Sequence, residues 1–179
     1  MKGRLPGVIR KAMEEDVPAV GKIYERILAQ EAAGLCTTGW LPGVYPVEAT
    51  AHAAWKRGEL FVWEAEGRLL AAAILNQTQP DSYAKGDWQF PASSEKVMVL
   101  HTLVVDPEEK GRGLGRQFVA FYERYAAEHG CTVLRMDTNA RNQRARALYR
   151  SLGYREAGIV PCEFNGIPNV ELVLLEKEG

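Results

Sequence analysis

The chain predicts an α+β (α/β) fold, a single domain over residues 1–179 built on one central sheet. Three observations carry that expectation. Short β-branched apolar runs and helical periodicities follow one another in the order β-α-α-β-β-β-α-β-α-β-β. Two of the runs, residues 97–105 and 132–138, are joined by a helical stretch, and such a crossover makes parallel neighbours. Other runs are joined by hairpin signals, the turn Glu66-Gly67-Arg68 and a connection holding Asn165-Gly166.

Each element has its own signal. Residues 5–11 read as a short strand. Asp16 is placed to cap the first helix, with Pro18 in its first turn and Val20, Ile23, Ile27 and Leu28 as its apolar stripe. Gly34 ends it, and residues 35–46, with Trp40, Pro42, Gly43 and Pro46, are turn-rich. A second helix covers 47–56. Strands at 60–65 and 69–76 flank the first turn. Residues 77–94 form a long polar loop carrying Tyr83, Trp88 and Phe90, and loops of that length are uncommon unless functional. The central strand is 97–105. Leu114, Phe118, Phe121 and Tyr125 then recur at helical spacing, and that helix ends near Gly130. A strand at 132–138, a helix at 141–151 closed by Gly153, and strands at 154–160 and 170–175 complete the sheet.

Composition narrows the function classes. At 179 residues, with 46% hydrophobic and 25% charged residues, the chain suits one domain with a sizeable core. A net charge of −1 supplies no general attraction for nucleic acid, so none is expected as a partner. No apolar run reaches the ~18 residues of a membrane span. MKGRLPG at the start lacks the apolar core of a signal peptide, so the cytoplasm is the expected compartment. Cys36, Cys131 and Cys162 are scattered and read as free thiols, with no metal site expected.

The chemistry lies where the central strand meets the next helix. The apolar run stops at Asp106-Pro107, and Lys110-Gly111-Arg112-Gly113-Leu114-Gly115-Arg116 leads into the helix. Strand, glycine-rich loop and helix start make an anion site. The first backbone N–H groups of a helix lack partners, and glycine lets a phosphate approach. The loop lacks the lysine and hydroxyl of a P-loop and the third glycine of a dinucleotide fingerprint.

What remains, K-x-x-G-x-G over Lys110, Gly113 and Gly115, resembles the pyrophosphate loop of the GNAT N-acetyltransferase superfamily, which usually begins with Arg or Gln. A second segment strengthens the resemblance: Asn142, Ala145, Leu148, Tyr149, Gly153 and Tyr154 match N-x-x-A-x-x-L-Y-x-x-x-G-[FY]. The resemblance implies a GNAT-like acyl-CoA N-acyltransferase fold, a mixed, mostly antiparallel sheet with helices on both faces. It implies acetyl-CoA as co-substrate. The cofactor-binding set is then Leu103, Val104, Val105, Lys110, Gly111, Arg112, Gly113, Leu114, Gly115, Arg116, Asn142 and Tyr149. The pyrophosphate would lie on the amides of the loop, and the pantetheine along Leu103, Val104 and Val105. Lys110, Arg112 and Arg116 would offset phosphate charge. Asn142 would bond the pantetheine or cap its helix.

The reaction implied is acetyl transfer to a primary amine by direct attack in a ternary complex. By the resemblance Tyr149 would donate a proton to the leaving thiolate, or else pack as a core tyrosine between Leu148 and Leu152. His101, on the central strand in phase with Leu103 and Val105, is the expected base. Glu95, Asp137, Asn139 and a water chain compete for that role. The aromatic residues Trp40, Tyr45, Tyr83, Trp88 and Phe90 would line an acceptor entrance or cover the sheet. Asp81, Asp87 and Glu31 would hold a cationic amine or face water. The acceptor, a small molecule or a peptide, stays open: an amino acid, a polyamine, an aminoglycoside or a protein N-terminus. A non-catalytic acyl-CoA-binding regulatory module is the alternative, and a nucleotide-binding α/β protein a third reading. A homodimer through the last strands is a family-level expectation only.

Overall fold

In the computed structural model, which describes residues 7–179, seven strands form one sheet in the order β1-β2-β3-β4-β5-β7-β6. They are β1 (Val8–Lys11), β2 (Leu60–Ala65), β3 (Arg68–Asn76), β4 (Val97–Val105), β5 (Val133–Asn139), β6 (Arg155–Phe164) and β7 (Ile167–Glu178). Four helices join them: α1 (Val17–Ala32), α2 (Glu48–Lys56), α3 (Leu114–Glu128) and α4 (Gln143–Ser151). Every neighbouring pair is antiparallel except β4 and β5, which the α3 crossover makes parallel. Of the strand expected at 5–11, Leu5 and Pro6 lie outside the described residues.

The layers follow from side-chain alternation. Met98, Leu100, Leu134, Met136, Val173 and Leu175 pack under Leu114, Phe118 and Tyr122 of α3 and Tyr149 of α4. On the opposite face, Val62, Ala72, Ile74 and Val104 pack against Val20, Ile23, Tyr24 and Ile27 of α1 and Ala51 and Ala54 of α2. Those two helices cover only half of that face. Tyr83, Trp88, Phe90 and Ala92 of the 77–94 loop cover the rest, over Val97, Val99, Leu172 and Leu174. The Glu176 carboxylate, fully buried, straps the loop down by accepting from the Gln89 and Phe90 N–H groups at 2.6 and 3.2 Å. Arg155 Nη1 donates to the same carboxylate at 2.8 Å.

Three local expectations change. Asp16 sits before α1 but makes no cap bond to it. Its carboxylate instead accepts from Met13 N–H at 2.8 Å and from Arg10 at 2.7 Å, closing a short turn of residues 14–16. The helix expected at 141–151 starts at Gln143 because Asn142 Oδ1 accepts from Ala145 N–H at 3.1 Å, which makes Asn142 the cap. The last two strands run longer than 154–160 and 170–175. Asn165 and Gly166, at φ 48° and 85°, are the two left-handed central residues of a tight hairpin turn, so pairing continues to its tip.

Candidate functional site

β4 and β5 pair only from Val97↔Val133 to Leu100↔Met136, and then part. β5 goes on pairing with β7 as far as Asn139↔Leu172, while β4 goes on with β3. Beyond Leu100, the edge of β4 that faced β5 has no strand beside it among the described residues. Two clefts, each with a cavity volume of about 630 Å³, open at this parting.

The first cleft lies at the start of α3. Asp106 Oδ1 accepts from Glu108 N–H at 3.1 Å and folds the chain back after β4. Gly111 and Gly113 then take φ of 81° and 75°, conformations glycine adopts without a steric penalty. Gly113 is the cap of α3 and supplies no side-chain acceptor, and the first intrahelical bond back to it comes from Gln117 N–H at 3.1 Å. The N–H groups of Leu114, Gly115 and Arg116 are therefore left for an anion. Gly115 faces Leu148 of α4, 3.6 Å from where a Cβ would stand.

Of the twelve residues expected to hold the cofactor, eleven line this cleft: Leu103, Val105, Lys110, Gly111, Arg112, Gly113, Leu114, Gly115, Arg116, Asn142 and Tyr149. Val104 turns away into the core under α1 and α2. The three cations differ. Arg112 is paired with the buried Glu109 carboxylate, which it holds below the usual carboxylate range, and Arg68 Nη2 reaches the same group at 3.0 Å. Arg116 donates to Ser151 Oγ at 3.0 Å. Lys110 forms no ion pair among the described residues. Burial and then the Asp137 charge push the Tyr149 phenol above its ordinary range, so it is a protonated donor at neutral pH.

The second cleft lies across the sheet, lined among others by Tyr45, Asn76, Lys85, His101, Thr102, Asp137 and Phe164. A bulge in β4 lies beside it. His101 pairs with Ile74 and Val104 with Ala72, so Thr102 and Leu103 together oppose Ala73. The extra residue shifts the alternation. His101 shares the face of Ile74, while Leu103 and Val105 pack on the face of α3. The expected phase of His101 with Leu103 and Val105 is thus broken, and His101 belongs to the second cleft.

His101 Nε2 lies 2.7 Å from Asn76 Oδ1. Asn76 Nδ2 donates to Glu59 Oε2 at 3.1 Å, and Asn76 Oδ1 accepts from Thr78 N–H at 3.0 Å, so the histidine must donate at Nε2. Its Nδ1 carries the lone pair. Burial pushes His101 down to about 4, which leaves it neutral and weakly basic at pH 7. Asp137, on β5 just past the parting, has its Oδ2 bonded by Tyr83 hydroxyl at 2.7 Å. Burial pushes it up to about 6 against that bond.

The other candidates fall elsewhere. Glu95 is exposed in a short turn, and Asn139 Oδ1 accepts from Arg141 N–H at 3.0 Å; neither lines a cleft. Tyr83, Trp88 and Phe90 cover the sheet, so only Tyr45 of the five aromatic residues lines the second cleft. Glu31 is committed to its own loop, accepting from Thr38 N–H at 2.8 Å and Gly39 N–H at 3.1 Å. Asp87 pairs with Arg155 at 3.4 Å, whereas Asp81 lines the second cleft. Cys36 is a free thiol pushed up to about 11 by burial and the adjacent Glu31, which makes it a poor nucleophile. Among the described residues no group of three or more His, Cys, Asp or Glu could hold a metal, and no helix is long and apolar enough to cross a membrane.

With both clefts on one sheet, comparison with known proteins defines the class. A sequence model described as the acetyltransferase (GNAT) family matches residues 28–154, and the chain belongs to that family. The [ribosomal protein bS18]-alanine N-acetyltransferase of Salmonella typhimurium is 31% identical over 129 residues, 70% of this chain and 81% of that protein. The L-methionine sulfoximine/L-methionine sulfone acetyltransferase of Pseudomonas aeruginosa is 28% identical over 86% of this chain and 83% of that protein. Shorter matches, to uncharacterized proteins of Bacillus subtilis and Mycobacterium leprae, span only 43% and 16% of those relatives. In fold, a GNAT-family acetyltransferase from Listeria monocytogenes superimposes with a TM-score of 0.75 at 21% identity, covering 99% of this chain and 97% of that one. The yncA protein of Salmonella typhimurium, solved with its cofactor acetyl-CoA, gives 0.67 at 19% identity, covering 96% and 93%.

Proposed function

We propose that this protein is an N-acetyltransferase that moves the acetyl group of acetyl-CoA to a primary amine by direct attack in a ternary complex. The observation that carries the reading is the meeting of two clefts where β4 and β5 part, one with an open helix N-terminus, the other with a half-buried carboxylate. The first cleft fits the cofactor. The Leu114, Gly115 and Arg116 amides would hold the pyrophosphate, with Lys110 the cation nearest to free, and the unpaired edge of β4 would take the pantetheine as an added strand. When bound, acetyl-CoA supplies an activated thioester.

The chain's own groups do the rest. An acceptor arrives as an ammonium and needs a negative partner that then removes a proton. Asp137 is ionised at pH 7 yet basic enough to accept one. It lines the acceptor cleft, and its charge is felt by Tyr149 on the other side. His101 Nδ1 is the alternative base. A backbone N–H on the β4 edge would stabilise the developing oxyanion. Tyr149 would donate its proton to the leaving thiolate and regain one from the acylated nitrogen, and Asp137 would release its proton to water.

The acceptor is an amine on a small molecule or a peptide. The two longer relatives are named for an alanine of a ribosomal protein and for methionine sulfoximine, so both classes belong in the test. Acetyl-CoA titrated by calorimetry should bind, and Gly113→Glu should lose that binding. A panel of amino acids, methionine sulfoximine, an alanine-initiated peptide, a polyamine and an aminoglycoside, read by thiol release, should then give turnover. Absence of acetyl-CoA binding by a folded parent refutes the reading. The acidic limb of kcat/KM separates the bases: near 6 for Asp137, near 4 for His101.

A further inference from the structure

Four non-glycine residues among those described have positive φ: Glu66, Thr102, Asn165 and Asn169. Thr102, at 49°, is the only β-branched one, the side-chain type this conformation suits least. Such a conformation persists only where the surroundings hold it. The Thr102 hydroxyl is hydrogen-bonded to the Tyr45 hydroxyl. The Tyr45 ring stands edge-on between Trp40, at 6.1 Å between centroids, and Phe164, at 5.4 Å. The loop before α2 and the tip of the β6–β7 hairpin thus converge on the Tyr45 ring, whose hydroxyl reaches the bulge. That bulge is what assigns β4 to two clefts, with His101 facing one and Leu103 and Val105 the other.

We propose that Tyr45 is a positioning residue, whose hydroxyl holds Thr102 in its left-handed conformation and so sets the β4 edge against which the thioester must lie. This rests on the acetyltransferase reading. Tyr45 acts through Thr102, so removing either hydroxyl should have one and the same effect, and removing the strain should make Tyr45 dispensable.

Tyr45→Phe keeps the ring in place, Thr102→Val keeps the shape of its side chain, and Thr102→Gly accepts a positive φ without strain. A small misplacement of reacting groups is costly, so Tyr45→Phe and Thr102→Val should each lower kcat roughly tenfold. Acceptor KM and acetyl-CoA affinity should hold within about threefold, and the double variant should be no worse than either single one. In the Thr102→Gly background, Tyr45→Phe should change kcat less than about twofold. Unchanged kcat in both single variants, or an equal loss in the Thr102→Gly background, overturns the proposal. Thermal unfolding of the same proteins supplies an arm that needs no substrate. Tyr45→Phe should lower the midpoint in the parent but not in the Thr102→Gly background, and equal lowering in both overturns the clamp. A parent that turns over no amine refutes the acetyltransferase reading itself, while the unfolding cycle still decides the clamp.

Discussion

Asp137→Asn should make this protein more stable at neutral pH while removing most of its activity. Burial raises the Asp137 carboxyl from an ordinary 3.8 to about 6, so the folded state disfavours its charged form. At ~1.4 kcal/mol for each tenfold change, that interval is worth about 3 kcal/mol against the folded state once both states are ionised. The sign follows from proton counts. Below 3.8 both states are protonated and no penalty exists. Between 3.8 and about 6 the unfolded chain loses its proton first, so stability falls as pH rises, and above about 6 the full penalty remains. Asparagine has no charge to bury, and its Oδ1 can still accept from the Tyr83 hydroxyl. For a domain of this size ~3 kcal/mol corresponds to a rise of up to ~10 °C in Tm at pH 7.5. Calorimetric unfolding of parent and variant at pH 4 and 7.5 should show that gap at the higher pH and its collapse at the lower. Loss of the proton acceptor should lower kcat by ~100-fold or more. A variant no more stable than the parent at pH 7.5, or an advantage that persists undiminished at pH 4, refutes the argument.

Other substitutions test other parts of the site. Gly113→Glu places a bulky carboxylate at a φ of 75° beside the open amides, and calorimetry should show acetyl-CoA binding weakened beyond ~100-fold. Tyr149→Phe should lower kcat ~100-fold under conditions where chemistry limits the rate, with acetyl-CoA affinity within ~3-fold, because the ring still packs and only the proton is lost. Glu176→Gln removes a fully buried carboxylate that accepts two backbone N–H groups and one arginine, and should cost ~2 kcal/mol in denaturant unfolding.

What could be read from the chain was local chemistry. Gly111 and Gly113 announce left-handed turns before a helix, and Asn142 announces a cap, because glycine and asparagine carry those conformations in their own covalent structure. The lining of the cleft at the start of α3 was therefore visible almost residue by residue. The cleft across the sheet was not. Nothing in VMVLHTLVV marks a bulge, since threonine is an ordinary strand residue, and strict alternation then sends His101 to the wrong face. Asp137 becomes unusual only in the folded chain, where burial outweighs the hydrogen bond from Tyr83, 54 residues earlier. The 77–94 loop looks like an irregular polar insertion until the sheet shows that α1 and α2 leave half of one face bare. These features depend on contacts between distant segments, which periodicity and spacing do not encode.

Two strained residues of the sheet, Thr102 and Asp137, stand on the two strands that part, one on each side of the gap. A parallel pair held in register to its ends would satisfy its backbone and leave no opening. Here pairing is given up after Leu100 and Met136, a β-branched residue is bent into a left-handed turn, and a carboxylate is half-buried with a hydroxyl as its hydrogen-bond partner. Each of these departures opposes folding, and each is offset by contacts from outside the sheet: Tyr45 on Thr102, Tyr83 on Asp137, and Glu176 fastening the loop that carries Tyr83. The surrounding segments thus have a second task besides covering apolar surface. They hold open, at one point, a gap that the sheet alone would close, and under the proposed function that point is where an amine on one face would meet a thioester on the other.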